Sequence, residues 1–153
     1  MFRRHPLLTV VTVAYLALVG VVTLAPMPEH GRNSIIWRVV EVFQRFSMTR
    51  WLDFATVEFL ANVAMFVPLG LFFVLLLGRG RWWLAILFGI GLTLVIELAQ
   101  QFLPSRVSDP RDLVANAIGA TLGVLVALVM TAAKARRLKA QRVPLTTRRY
   151  SSS

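Results

Sequence analysis

The sequence predicts an all-α, polytopic membrane protein: a four-transmembrane-helix bundle with a further helix in its first long loop. Three observations predict it. The chain is 57% hydrophobic and only 16% charged over 153 residues, with a mean hydropathy of +0.68, whereas soluble domains carry about 25% charged residues. Its apolar residues gather into four runs, each long enough at about 1.5 Å per residue to cross a hydrocarbon core of about 30 Å. The runs are also continuous, where the strands of an outer-membrane barrel would alternate apolar and polar residues.

The first run covers about residues 7–25 and follows Arg3 and Arg4. It has the form of a signal peptide, but it is long for one and no A-x-A site precedes "APMPEH", so an uncleaved signal anchor is expected. In the loop that follows, "IIWRVVEVFQRF" sets Ile35, Ile36, Val39, Val40, Phe43 and Phe46 on one face and Arg38, Glu41 and Arg45 on the other. That 3.6-residue period predicts an amphipathic helix, lying either in the membrane interface or over the bundle. The second run, about 57–77, contains Pro68, which has no N–H for the Ala64 carbonyl and predicts a kink. The third covers about 82–103, after a turn holding Arg79 and Arg81, and the fourth about 113–133. Residues 1–133 thus form one domain without internal repeats. Residues 134–153 form a basic tail that begins as a continuation of the last helix and is otherwise largely disordered.

The net charge of +10 is placed as a topology signal. Arg3 and Arg4, Arg79 and Arg81, and the tail from Lys134 to Arg149 fall on one side of the membrane if the helices alternate, which puts both termini in the cytoplasm. The opposite loops mix their arginines with Glu29, Glu41, Asp53, Asp109 and Asp112, and no nucleic-acid partner is expected. With no cysteine in the chain, disulfides, thiolate catalysis and Cys-based metal sites are excluded. His5 and His30 fall on opposite sides of the bilayer, so no metal or other cofactor is expected.

The same topology brings polar residues of three helices to one depth in the outer leaflet. Glu58 and Asn62 lie in the first turns of the second run, Glu97, Gln100 and Gln101 in the last turns of the third, and Asp112 and Asn116 in the first turns of the fourth. Glu58/Asn62, Glu97/Gln101 and Asp112/Asn116 are i,i+4 pairs, each sharing a helix face. The loop "PSRVSDPRD" roofs them with Arg106, Asp109 and Arg111. Deeper in the fourth run, Asn116, Gly119, Ala120 and Gly123 make a small-residue stripe for close helix packing, and Gly119 to Gly123 is a GxxxG. Each feature has a plainer reading. Asp109 before Pro110 suits an N-cap, which places Asp112 at N3 where the helix dipole favours it; Asn116 and the glutamines suit interhelical hydrogen bonds. Glu97, two turns from the helix end, is out of reach of capping. It either pairs structurally with Arg106 or belongs to a ligand or catalytic site.

These residues carry a resemblance. Asn62 with "FVPLG" (Phe66, Pro68, Gly70), then Glu97-x-x-Gln100, Pro104-x-Arg106, Asp109, Asp112, Asn116, Gly119 and Gly123 resemble the VanZ-like family of small bacterial membrane proteins, named for an accessory factor of teicoplanin resistance. The resemblance spans about residues 7–133. It implies a multi-pass protein of the bacterial inner membrane with a part in glycopeptide tolerance, and it supplies no mechanism.

Two functions compete. A binding protein would take a lipid headgroup, a lipid-linked cell-wall intermediate or a membrane partner in the outer polar pocket, with Arg106 and Arg111 on phosphate. A membrane enzyme acting on a lipid-linked phosphate would use Glu97, Asp109 and Asp112 for acid–base work or to hold a divalent cation through their oxygens; no nucleophile has an obvious base, and no catalytic residue is assigned. A transporter would need oligomers, because one chain is too short for alternating repeats; homo-oligomerisation stays open.

Overall fold

The computed structural model describes residues 6–25, 35–49, 51–103 and 109–141. It is helical: α1 (Pro6–Leu24), α2 (Ile35–Gln44), α3 (Phe54–Leu77), α4 (Trp82–Gln100) and α5 (Pro110–Gln141), with 3₁₀ turns at Ser47–Thr49 and Arg79–Arg81. Four helices are long and apolar enough to cross a membrane, over Pro6–Leu24, Phe54–Leu77, Arg79–Gln100 and Pro110–Arg137. Their outward faces carry Leu7, Val10, Val21, Leu87, Phe88, Val95, Leu125 and Val129 in the open, which suits a hydrocarbon solvent. The expectation of an all-α four-helix membrane protein holds.

The helices alternate. α1 and α4 finish, and α3 and α5 begin, at one end of the bundle, here termed the polar end; the α3–α4 turn marks the other.

Two helix starts lie upstream of the expected positions, for local reasons. Asp53 caps α3, its side chain accepting from the Thr56 N–H at 2.8 Å, so the helix opens at Phe54 rather than near 57. Asp109 does the same for α5: its Oδ1 accepts from the Arg111 N–H at 2.9 Å, and Pro110 stands first in the helix, where its missing donor costs nothing. Two ends also differ. α4 stops at Gln100, three residues short of the expected 103, in a turn where Leu103 N–H donates to the Gln100 carbonyl at 3.0 Å. α5 runs on to Gln141, so the first residues of the basic tail continue the helix as expected; the tail beyond lies outside the described residues. α3 closes on Gly78, whose φ of 84° and N–H bond to the Val74 carbonyl need a residue without a Cβ.

The core forms along α3 and α5, the most extensive helix contact in the molecule. A Cβ on Gly119 would strike the Val63 carbonyl, one on Gly123 the Val67 carbonyl, and one on Gly70 the Ala120 carbonyl. The two backbones therefore touch. Gly89 of α4 faces the Ala120 side chain, so Ala120 is where three helices meet. Phe66 and Leu69, both fully buried, pack there with Val19 and Ile96. Nearer the α3–α4 turn, Val74, Ala85, Val124 and Ala127 form a second cluster. At the polar end Val40 of α2 is buried against Leu52 and Val57, and the Trp37 ring lies 5.2 Å from that of Phe54, tilted by 33°. α2 is thus held on the bundle, while its Val42 and Phe43 and the following Phe46 stay exposed.

Candidate functional site

Four helices contribute to a polar layer just inside the polar end. α3 brings Asn62, whose Nδ2 donates to Asp112 Oδ1 of α5 at 2.7 Å. One turn deeper on α5, Asn116 Nδ2 donates to Thr93 Oγ1 of α4 at 2.8 Å. Gln100, at the last turn of α4, donates from Nε2 to the Thr23 carbonyl of α1 at 3.0 Å. A carbonyl only accepts, so this bond fixes which way the Gln100 amide faces and turns Oε1 from Thr23. Thr23 occupies the last turn of α1, where carbonyls lose their helical donors.

The deeper part of the layer is buried. Glu97, Gln100 and Asn116 are 8%, 5% and 2% exposed, and they share the buried faces of their helices with Ala85, Gly89, Thr93 and Ile96 on α4 and Ala115, Gly119 and Ala120 on α5. Gln100 Oε1 and Asn116 Oδ1 are buried without a hydrogen-bond partner among the described residues. Such atoms are rare, and each calls for an explanation.

The sequence-expected residues divide into three groups. Asn62, Glu97, Gln100, Asp112 and Asn116 lie in the layer, with Asn62 and Asp112 half-buried. Glu58 is half-buried in the second turn of α3, one turn toward the polar end from Asn62. Gln101, Asp109 and Arg111 are exposed at the rim. Gln101 does not share the buried face of Glu97. α4 ends at Gln100, and i+3 rather than i+4 turns inward there. Asp109 is occupied as the α5 cap. Arg106 lies outside the described residues, as does any pairing of it with Glu97. Arg111 acts on the start of α3: its positive charge adds to the Thr56 hydrogen bonds, the larger cause, that hold the Asp53 carboxyl below its ordinary range.

Sequence reading missed two participants: the Thr23 carbonyl, which accepts from the Gln100 amide, and Tyr15, whose hydroxyl donates to the Met65 carbonyl of α3 at 3.0 Å. A tyrosine inside an otherwise aliphatic run was the available signal for the last, since a buried phenol seeks a partner. Nothing in the pattern marks the Thr23 carbonyl. Among the described residues no three His, Cys, Asp or Glu side chains gather as a metal site. A separate depression of about 270 Å³ on α5 is lined by Ala117, Ile118, Thr121 and Leu122. Its one hydroxyl, on Thr121, already bonds the Ala117 carbonyl at 2.8 Å, so it offers little to orient a polar ligand.

Four long apolar helices closed around a buried layer of amides and carboxylates define a multi-pass membrane protein. The chain belongs to the VanZ-like family: the family model VanZ/LLP1 matches residues 12–131, which takes in all of the layer and the glycine seam beneath it. No curated protein matches the chain, and no solved structure does.

Proposed function

We propose that this protein is a non-enzymatic component of the bacterial inner membrane. In this reading it binds a lipid headgroup or lipid-linked cell-wall intermediate at the polar layer, in the outer leaflet, and thereby contributes to glycopeptide tolerance. One observation carries the reading: two amide oxygens are buried in the layer with no donor among the described residues, and buried polar atoms of that kind call for a partner. The layer is more polar than bundle assembly needs.

The test is mass spectrometry of the lipids that co-purify with wild type and with Glu97→Gln, which keeps the side chain's size and removes its carboxylate. A lipid retained by wild type and lost from a folded Glu97→Gln supports the reading. Identical lipid profiles from two equally stable proteins would overturn it. The outer-leaflet placement follows from the basic residues of the termini and the Arg79/Arg81 turn. Cysteine at position 34 should therefore react with an impermeant maleimide in intact cells, and cysteine at position 152 only after permeabilisation; the reverse pattern would move the layer to the cytoplasmic leaflet.

A further inference from the structure

α2 carries more apolar surface than the bundle covers. At about 100° of rotation per residue, its side chains fall into three arcs. The first is docked: Val40 is buried with Leu52 and Val57, and Ile36 and Trp37 pack against that cluster. The second holds Arg38 and Glu41, charged and exposed. The third extends the apolar sector beyond the docked arc. Its Val39 is half-buried, but Val42 and Phe43 stay 52% and 38% exposed, and Phe46, in the turn that follows, 63%. A surface helix in water turns polar residues outward from its docked stripe. α2 turns outward both a polar arc and an apolar one.

We infer that α2 lies in the membrane interface as well as on the bundle, its uncovered apolar arc set into phospholipid at the headgroup–acyl boundary. Depth supports this. The helix docks on Leu52 and Val57, and Val57 stands in the first turn of a membrane span, Phe54–Leu77, so α2 is held where hydrocarbon begins. Its 10 residues reach about 15 Å, half the thickness needed to cross. One turn further along α3, Leu60 is 51% exposed, so apolar surface continues below the docking point. Trp51, just before α3, is 69% exposed, at the level where the aromatic rings of membrane proteins gather. Arg38 and Arg45, both exposed, supply the cations that interfacial helices turn toward lipid phosphates. None of this depends on the ligand reading of the polar layer.

The chain has no cysteine, so single substitutions can each carry a nitroxide in the full-length protein. Arg38→Cys, Glu41→Cys, Val42→Cys and Phe46→Cys are labelled and placed in vesicles of phosphatidylethanolamine and phosphatidylglycerol. Electron paramagnetic resonance then compares collisions with oxygen, which concentrates in hydrocarbon, and with a water-soluble nickel chelate. Leu87→Cys, at a position 55% exposed on α4, gives the reading for lipid. The oxygen-to-nickel ratio should exceed unity at positions 42 and 46, as at 87, and fall below unity at 38 and 41. Phe43→Cys serves if either of the apolar variants fails to fold. Nickel ahead of oxygen at all four positions would put α2 in water and overturn the inference. Oxygen ahead at 38 and 41 as well would put the whole helix in hydrocarbon, which also overturns it. Shielding of 42 and 46 from both reagents, with spin–spin broadening, would mean that a second copy covers the arc; that outcome overturns it too.

Discussion

The α3–α5 seam and the attachment of α1 solve the same problem in opposite ways. Along the seam, side chains have been removed: Gly70, Gly119 and Gly123 let one backbone lie on the other, and any Cβ there meets a carbonyl of the facing helix. α1 has no such approach. Nothing lies within 4 Å of where a Cβ on Gly20 would stand, and few of its residues are buried, Thr12, Val19 and Thr23 among them. It is tied instead by directional bonds, Tyr15 hydroxyl to Met65 carbonyl at 3.0 Å and Gln100 amide to Thr23 carbonyl at 3.0 Å. Lipid tails solvate leucine as well as another helix does, so apolar area alone holds nothing together in a bilayer. What remains is close van der Waals contact or hydrogen bonding. The middle of the bundle uses the first and its edge the second.

The comparison can be broken most sharply at the seam. Gly123→Leu should cost about 3 kcal/mol or more, because the clash is with backbone that cannot swing aside. Thermal unfolding in detergent reads it, with Gly20→Leu as the matched substitution on α1 expected to change little. Equal effects at the two positions would erase the distinction. The bonds of α1 should be worth less singly. Tyr15→Phe keeps the ring and its edge-on contact with Phe72 at 5.7 Å and should cost about 0.6–1.7 kcal/mol, the range measured for interhelical hydrogen bonds in membranes. A loss as large as that of Gly123→Leu would mean that α1 is as tightly built in as α5.

The smallest expected effect lies outside the membrane, at the α3 cap. The Asp53 carboxyl is held below its ordinary value, first by Thr56. A lowered folded pKa means stability that is fully present above the unfolded value of about 3.9 and is lost as pH falls through the folded one. Wild type should therefore lose a small increment of stability below about pH 4 that Asp53→Asn does not show. Parallel acid curves for the two proteins would remove the cap from the account.

Much of this was legible in the residues. Continuous apolar runs bounded by charge leave the backbone only one way to satisfy itself in hydrocarbon, so four helices follow from composition and length alone. The small-residue stripe on α5 was equally plain, because a helix face without side chains serves little but close contact. Helix ends were less so. Asp109 was readable as a cap from the proline after it, but Asp53 had no such flag, and α3 began three residues earlier than its apolar run.

What only the tertiary structure decided is which polar groups meet. Glu97, Gln100 and Gln101 sit within five residues, and spacing alone favoured Gln101 as the neighbour of Glu97. Gln100 turns inward instead, because α1 presents the Thr23 carbonyl there and the helix ends before Gln101 can share its face. Asn62 and Asp112, fifty residues apart in the chain, become partners because the glycines below them bring α3 and α5 into backbone contact. Local sequence determines a helix and its faces, since hydrogen bonds within four residues suffice. Which face meets which is set by where the partner helices stop and how closely they approach, and those distances exist only once the bundle has closed.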